Sequence, residues 1–143
     1  MKRLAWLLAA VASGAGAGEY RSVQETAAVL YDAPSRAATP LFVVQRNYPL
    51  EVIVNLEAWV KVRDHAGALT WVEKKALGDK RMLLVTDATA EARVRAEDGA
   101  PAAFVAAQNV VLELIEVAPN GWLRVRHADG ASGFVRAAQV WGD

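Results

Sequence analysis

Two tryptophans, each followed by alternating basic residues, are the side chains in this sequence best suited to hold a ligand. One run reads Trp-Val-Lys-Val-Arg and the other Trp-Leu-Arg-Val-Arg. An indole flanked by cations on the solvent-exposed face of a strand is typical of a binding anchor. The predicted ligand-binding residues are Trp59, Lys61, Arg63, Trp122, Arg124 and Arg126. The alternative is that both tryptophans only pack, for instance between domains.

Catalysis has little support from the residue types present. The chain has no cysteine and two histidines, His65 and His127, which follow the two tryptophan runs in turn-like segments. Such a turn seldom holds a water-excluded pair of nucleophile and base. Glu51 and Glu113 precede the two runs and are expected to be solvated strand positions, not an acid–base pair. No ligand-type side chains cluster at metal spacing, so we expect no enzyme activity, metal or cofactor.

The composition indicates a folded protein that does not bind polyanions. The 143 residues include 16 basic and 16 acidic side chains, and 54% are hydrophobic. Balanced charge lacks the basic footprint of a nucleic-acid-binding protein, and the apolar fraction is too high for disorder. No apolar run after residue 17 approaches the ~20 residues that span a bilayer. We therefore expect no nucleic-acid partner and no stable membrane insertion of the mature chain.

The first 17 residues have the organisation of a secretory signal peptide. Two basic residues at 2–3 precede an apolar stretch at 4–12, and Ala-Gly-Ala at 15–17 supplies small residues for a cleavage site. A retained membrane anchor is the alternative, but the apolar stretch is short and the glycines after it disfavour a helix. Cleavage would leave a periplasmic chain. Without cysteine, that chain has neither a disulfide nor a lipid-modified cysteine.

The chain after this segment contains one unit twice. A shift of 63 positions aligns residues 59–72 with 122–135, and six of these 14 pairs are identical. Upstream segments match at a shift of 62 instead, so the second copy has one extra residue in the turn before Trp122. The repeat predicts two domains, at 18–79 and 80–143.

Apolar and polar side chains alternate in both copies, as in half-buried antiparallel strands. Residues 50–56 show this alternation, and Gly67 and Gly130 each end a short turn that needs a positive φ. Short strands separated by turns predict small all-β barrels. We expect residues 82–86 to form the first strand of the second barrel and hold the two in contact, and Trp141 to cover a barrel end.

These segments resemble the bacterial SH3-like (SH3b) domain family in both copies. In the first copy the resemblance rests on Ala-Val-Leu-Tyr-Asp-Ala-Pro-Ser at 28–35 and on the run 59–63. In the second it rests on Ala-Arg-Val-Arg-Ala at 92–96 and Gly-Trp-Leu-Arg-Val-Arg at 121–126. The whole chain is similar to small exported SH3-domain proteins of proteobacteria. The resemblance implies two tandem five-stranded barrels used for binding, often in cell-envelope proteins.

Comparison with eukaryotic SH3 domains disfavours one kind of ligand. Those domains bind proline-rich peptides in an aromatic groove, and Trp59 and Trp122 match the first tryptophan of its paired-tryptophan motif. The positions of the proline and tyrosine that complete the groove hold Glu73, Ala76, Arg136 and Gln139. Proline-rich recognition is therefore not expected.

The leading hypothesis is a non-enzymatic periplasmic binding module with an aromatic and cationic surface around Trp59 and Trp122. It would hold an extended ligand, a segment of an envelope protein or peptidoglycan. The alternative is a structural accessory subunit that recruits or stabilises an envelope enzyme through the interface between barrels. Exposed tryptophans favour the first hypothesis, and tryptophans buried between the barrels favour the second.

Overall fold

The computed structural model describes residues 18–143, in which the two sequence copies form two separate antiparallel sheets. The predicted signal peptide, residues 1–17, lies outside the described residues. The first sheet contains β1 (Tyr20–Val23), β2 (Ala27–Tyr31), β3 (Pro40–Gln45), β4 (Pro49–Asn55), β5 (Trp59–Arg63), β6 (Leu69–Glu73) and β7 (Leu77–Gly78). The second contains β8 (Met82–Val85), β9 (Thr89–Arg93), β10 (Ala102–Ala107), β11 (Val111–Ala118), β12 (Trp122–Arg126), β13 (Ser132–Arg136) and β14 (Val140–Trp141).

Both sheets have the same strand order, which is β3-β2-β6-β5-β4-β1-β7 in the first and β10-β9-β13-β12-β11-β8-β14 in the second. Residues 18–143 contain no α-helix, only 3₁₀ turns at Lys74–Ala76, Pro119–Gly121 and Ala137–Gln139. The prediction of two tandem all-β barrels is confirmed. Each sheet has seven strands instead of five, because the segment after the first strand folds into an additional hairpin, β2–β3 or β9–β10.

Within residues 18–143, no helix has the length and apolar character of a transmembrane segment.

The alternation read from the sequence builds both cores. Val60 and Val62 of β5 are buried in the first barrel, and Leu123 and Val125 of β12 are buried in the second. Each fully buried leucine or valine contributes roughly 1.5–3 kcal/mol relative to an exposed one. The intervening residues of β5 and β12 must face outward, since successive side chains of a strand point to opposite faces.

The hairpin turns are held by local hydrogen bonds. Between β5 and β6, Asp64 Oδ1 accepts from the backbone N–H groups of Ala66 and Ala68, at 3.0 and 2.9 Å. Gly67 and Gly130 have φ values of 91° and 97°, in the left-handed region that glycine adopts without a Cβ clash. The turns that carry the two histidines are therefore fixed by their own backbone and side chains.

The join between the barrels is short and well held. Ser22 Oγ of β1 donates to the carbonyl of Lys80 at 2.7 Å, and Arg21 forms a 2.9 Å ion pair with Asp79. Met82 then begins β8, whose four side chains are all buried. The prediction that the second barrel starts with an ordered strand directly after the join is confirmed.

Trp141, expected to cover a barrel end, packs against the first barrel. Its ring centre lies 5.3 Å from that of Tyr20 in an edge-to-face arrangement and 6.5 Å from that of His65. The guanidinium of Arg81 lies 5.5 Å from the Tyr20 ring centre. Edge-to-face pairs add about 0.5–1.5 kcal/mol beyond the area they bury. This cluster therefore couples the two barrels.

Candidate ligand clefts

Trp59 begins β5 and lies half-buried against Tyr31 of β2. The two ring centres are 5.6 Å apart with the rings at 78°, an edge-to-face contact. Because Val60 points into the core, Trp59 faces outward and keeps part of its indole in solvent. Trp59 and Tyr31 together form a partly exposed aromatic surface on the first barrel.

Trp122 has the same place in the second barrel but a different environment. Only 5% of the residue is exposed, because the Arg136 guanidinium lies 4.3 Å from the ring centre. Arg136 Nη2 donates to both carboxylate oxygens of Asp98 at 2.7 Å, and Nη1 donates to the Asn120 carbonyl at 3.4 Å. Trp122 lies on the outer face of β12, opposite Leu123 and Val125 of the core, but it is not accessible there because Arg136 covers it. Trp122 is buried by its own barrel, not between the two.

The basic residues that alternate with the tryptophans are mostly paired with glutamates of the neighbouring strand. The cross-strand ion pairs are Arg63–Glu51 (3.0 Å), Arg126–Glu113 (2.9 Å) and Arg124–Glu116 (3.5 Å). Lys61 Nζ lies 6.0 Å from the ring centre of Trp71. Glu51 and Glu113, expected to be solvated, are half-buried within these pairs. The outer faces of β5 and β12, one in each barrel, are thus largely neutralised, and a ligand anion would compete with internal carboxylates.

Two clefts of the first barrel share Glu73, the last residue of β6. One has a volume of about 130 Å³ and a lining that includes Val29 and Tyr31 of β2. The other has a volume of about 380 Å³ and is lined by Glu57, Ala58, Glu73, Lys74 and Lys75. Glu73 borders both clefts, and Trp59 lies opposite Glu73 in the β5–β6 pairing. The two clefts that share Glu73 are together called the groove; Tyr31 lines the smaller cleft, and Trp59 lines neither.

An ion pair bridges this groove to the β2–β3 loop. Arg36 Nε and Nη2 both lie 2.9 Å from Glu73 Oε2. The hydrogen bond with Glu73 raises the pKa of Arg36, so the guanidinium stays charged. The Arg36 side chain is largely exposed, and an exposed ion pair contributes little to stability because water competes for both groups. The bridge positions the loop without closing the groove permanently.

The second barrel has a polar cleft at the equivalent place. Its volume is about 280 Å³, and its lining includes Thr89, Glu91, Arg93, Asp98, Trp122 and Arg136. Arg93 Nη2 lies 2.8 Å from Glu91 Oε1, and Nη1 donates to the Ala100 carbonyl at 2.9 Å. This cleft thus has two guanidinium groups and two carboxylates above a buried indole.

The bridging ion pair occurs in both barrels with its charges exchanged. The loops β2–β3 and β9–β10 have equal length and place Arg36 and Asp98 at the same position. Glu73 and Arg136 each end a strand directly before a 3₁₀ turn. The first barrel therefore has a cation on the loop and an anion on the strand, and the second barrel has the reverse.

The sequence-based choice of site residues missed most of these groups. Glu73 and Arg136 were recognised only as departures from a proline-binding groove, and Arg36 and Asp98 were not identified. A signal was available, since aligning the two loops at a shift of 62 pairs Arg36 with Asp98. Opposite charges exchanged between two copies of a repeat indicate a conserved contact made with different residues.

Each of the two histidines contacts a polar side chain near its hairpin turn. His65 Nδ1 lies 2.7 Å from the Tyr48 hydroxyl, and burial raises the pKa of Tyr48 to about 12. His127 Nδ1 lies 3.2 Å from Asp129 Oδ1. The pKa of the Asp129 carboxyl is lowered, mainly by a hydrogen bond from the backbone N–H of Ala131 and to a smaller extent by the nearby His127. Neither histidine has a serine or threonine within hydrogen-bonding distance among the described residues.

The comparison with protein families identifies the fold. The model of the bacterial SH3 domain matches the chain twice, at residues 24–79 and 86–142. The chain therefore belongs to the bacterial SH3 domain family and has two copies in tandem. Bacterial SH3 domains are generally binding modules.

Solved structures with a similar arrangement were also found. Two of them are NlpC2 and NlpC1 from Trichomonas vaginalis, which are 11% and 13% identical to this chain and have a TM-score of 0.41 each. The third is an NlpC/P60 family protein from Bacillus cereus, which is 16% identical and has a TM-score of 0.39. The matches cover 87%, 99% and 85% of this chain and 47%, 51% and 55% of those chains, in the same order. The chain thus spans about half the length of each. Among curated proteins, none matches.

Proposed function

We propose that this protein is a non-enzymatic binding module of the cell envelope that holds an extended ligand in the groove of its first barrel. The ligand is a segment of an envelope protein or peptidoglycan. The observation that carries the proposal is that two clefts share Glu73, which lies opposite Trp59 in the β5–β6 pairing, while Tyr31, the partner of Trp59, lines one of them. An extended chain needs such a surface, whereas a small molecule needs a single deep pocket.

The residue types of this groove suit an extended polymer with polar and apolar groups. The indole of Trp59 and the phenol of Tyr31 give a rigid contact area at a low cost in conformational entropy. Glu73 accepts from Arg36 within the free protein, and Lys74 and Lys75 lie beyond it along the same groove. A ligand would gain apolar contact at the aromatic pair and charge complementarity along the rest.

The first barrel is the better candidate because its tryptophan is accessible. Trp122 of the second barrel lies under Arg136, so a ligand must displace an ion pair before it reaches the indole. Trp59 has no such cover, since Arg36 bonds to Glu73 and lies over no described aromatic ring. The affinity of the first groove for an apolar group is therefore expected to exceed that of the second cleft.

A periplasmic location belongs to the same proposal. Its support is the pattern of residues 1–17, with a basic start, an apolar stretch and a small-residue cleavage site. Export would place the module beside peptidoglycan and the periplasmic segments of envelope proteins. Fusion of residues 1–17 to a reporter that is active only outside the cytoplasm tests this part directly.

The experiment is co-sedimentation of residues 18–143 with purified peptidoglycan sacculi. The test variant is Trp59→Ala, with Trp59→Phe as the conservative rescue. The matched control is Leu69→Ala, which truncates an exposed apolar residue on β6 outside the groove lining. Circular dichroism of each variant establishes that it is folded.

We expect the wild type, Trp59→Phe and Leu69→Ala to pellet, and Trp59→Ala to lose at least tenfold in affinity. That loss corresponds to about 1.4 kcal/mol, a moderate value for an aromatic anchor. If the wild type does not pellet, the same variants are compared by cross-linking in envelope extracts, where a protein partner would be captured by the wild type and lost in Trp59→Ala. Binding that survives Trp59→Ala unchanged in both assays would disprove the proposal.

A further inference from the structure

The charge reversal between the two barrels points to a second binding site with its own chemistry. We infer that the cleft of the second barrel is a carboxylate-binding site in which Arg136 is the receptor for the carboxylate of a small peptide-like ligand. This site is distinct from the first-barrel groove and does not depend on what that groove binds. Three features support it: the orientation of Arg136, the weakness of its internal partner and the composition of the cleft.

Arg136 is held in an orientation suited to a planar anion. The guanidinium lies 4.3 Å from the centre of the Trp122 ring and donates twice to one carboxylate, that of Asp98. A guanidinium that stacks on an aromatic face loses less freedom when it binds an anion, because its plane is already fixed. The Asp98 carboxylate shows where a ligand carboxylate would bind.

The internal partner is weak enough to exchange. The side chain of Asp98 is 77% exposed, and its partner Arg136 is 41% exposed. Exposed ion pairs contribute little net free energy, because water competes for both groups. A ligand carboxylate that also contacts the cleft can therefore replace Asp98, whose loop contributes no other described side-chain contact to Arg136.

The remainder of the cleft suits a small group with amide and carboxylate functions. Its volume of about 280 Å³ lies below the range of sites for drug-sized ligands. Arg93 supplies a second guanidinium, which is paired with Glu91 at 2.8 Å, and Thr89 and Gln139 supply neutral polar groups at the lining. The first barrel has Tyr31 and Glu73 in the places of Arg93 and Arg136, so its surface there is aromatic and anionic. At this position a carboxylate is therefore favoured by the second barrel over the first.

The experiment is a titration followed by ¹H–¹⁵N NMR with two matched probes. N-acetylglycine has an amide and a carboxylate, and N-acetylglycinamide has the same shape without the charge. The readout is the indole N–H signal of Trp122, which lies under Arg136, with the indole signal of Trp59 as the internal control. The sample is residues 18–143, which contain β1–β14 and both hydrophobic cores.

We expect N-acetylglycine to shift the Trp122 signal in a saturable way and N-acetylglycinamide not to do so. Arg136→Gln should weaken binding of N-acetylglycine at least tenfold. Glu73→Gln, at the equivalent position of the first barrel, should leave it unchanged. Asp98→Asn removes the competing carboxylate but leaves the Asn120 carbonyl and the Trp122 ring as partners of Arg136, so it should tighten binding by up to about fivefold, the ratio that matches an exposed ion pair of about 1 kcal/mol.

Several results would overturn the inference. Equal shifts with the two probes would show that the carboxylate is not recognised, and an unchanged affinity in Arg136→Gln would show that Arg136 is not the receptor. If Arg136→Gln fails to fold, the Asp98→Asn variant is the test. An affinity of Asp98→Asn for N-acetylglycine that equals or falls below that of the wild type contradicts the exchange of carboxylates. These outcomes are independent of the sedimentation result, which depends on Trp59.

Discussion

Replacing Trp122 with alanine should lower the free energy of unfolding by about 3–5 kcal/mol, the range for truncating a buried aromatic residue in a core. Only 5% of Trp122 is exposed, and its loss also removes the surface on which Arg136 lies. Trp59→Ala removes a half-buried ring that contacts Tyr31, so its cost should be about 1–3 kcal/mol. Two tryptophans at equivalent positions are thus expected to have different roles.

The assay is unfolding in urea followed by far-UV circular dichroism, which does not depend on tryptophan emission. The free energy of unfolding falls by roughly 1–3 kcal/mol per molar urea in small proteins. Trp122→Ala should therefore lower the urea concentration at the midpoint of unfolding by about 1 M or more. Trp59→Ala should lower it by less, and Trp59→Phe and Trp122→Phe should recover part of each loss. An equal loss for the two alanine variants, or a larger one for Trp59→Ala, would refute the assignment of Trp122 to the interior and Trp59 to the surface.

Three further outcomes are expected. Val62→Asp should unfold the first barrel, because a fully buried site would hold an unpaired charge, and calorimetry should show only the transition of the second barrel. The pKa of Tyr48 rises from 10.0 to about 12 on folding, so stability that is complete below pH 10 should fall as the pH rises toward 12. Tyr48→Phe should reduce this alkaline loss in pH-dependent denaturation curves. Trp141→Ala should uncouple the barrels, so that one calorimetric transition separates into two, because its contacts with Tyr20 and His65 link them.

The sequence was sufficient for the fold because the evidence for it is local. Alternation at Val60 and Val62 gives the core face of β5, and Gly67 gives the hairpin turn. The repeat then assigns the same structure to the second copy. The additional hairpin β2–β3 was the exception, since the resemblance implied five strands and gave that segment no strand of its own.

The site was harder to predict because its contacts join distant parts of the chain. Trp59 and Trp122 have the same local pattern, and strand alternation assigns both to the outer face. Their difference in burial comes from Arg136, which ends the next strand, and from Asp98 in a loop 38 residues away in sequence. No periodicity reports such a contact, and only the alignment of the two loops suggests it.

The cross-strand glutamates show a related limit. The sequence places Arg63 on the outer face of β5, where it was expected to be available to a ligand. Glu51 lies directly opposite on β4 and pairs with it at 3.0 Å. Predicting this pair requires the register between β4 and β5, which a bulge between Val52 and Val54 shifts by one residue nearby.

The central claim is that the first-barrel groove holds the ligand, and site-specific photo-cross-linking in cells tests it most directly. In the test protein a photoreactive amino acid replaces Lys75, which lines the groove. In the control it replaces Val117 of the second barrel, which is 71% exposed and lines neither the groove nor the cleft beside Trp122. We predict a cross-linked adduct with an envelope protein or peptidoglycan from position 75 and none from position 117. Adducts from position 117 alone, or none from position 75 when the protein is folded and exported, would contradict the account.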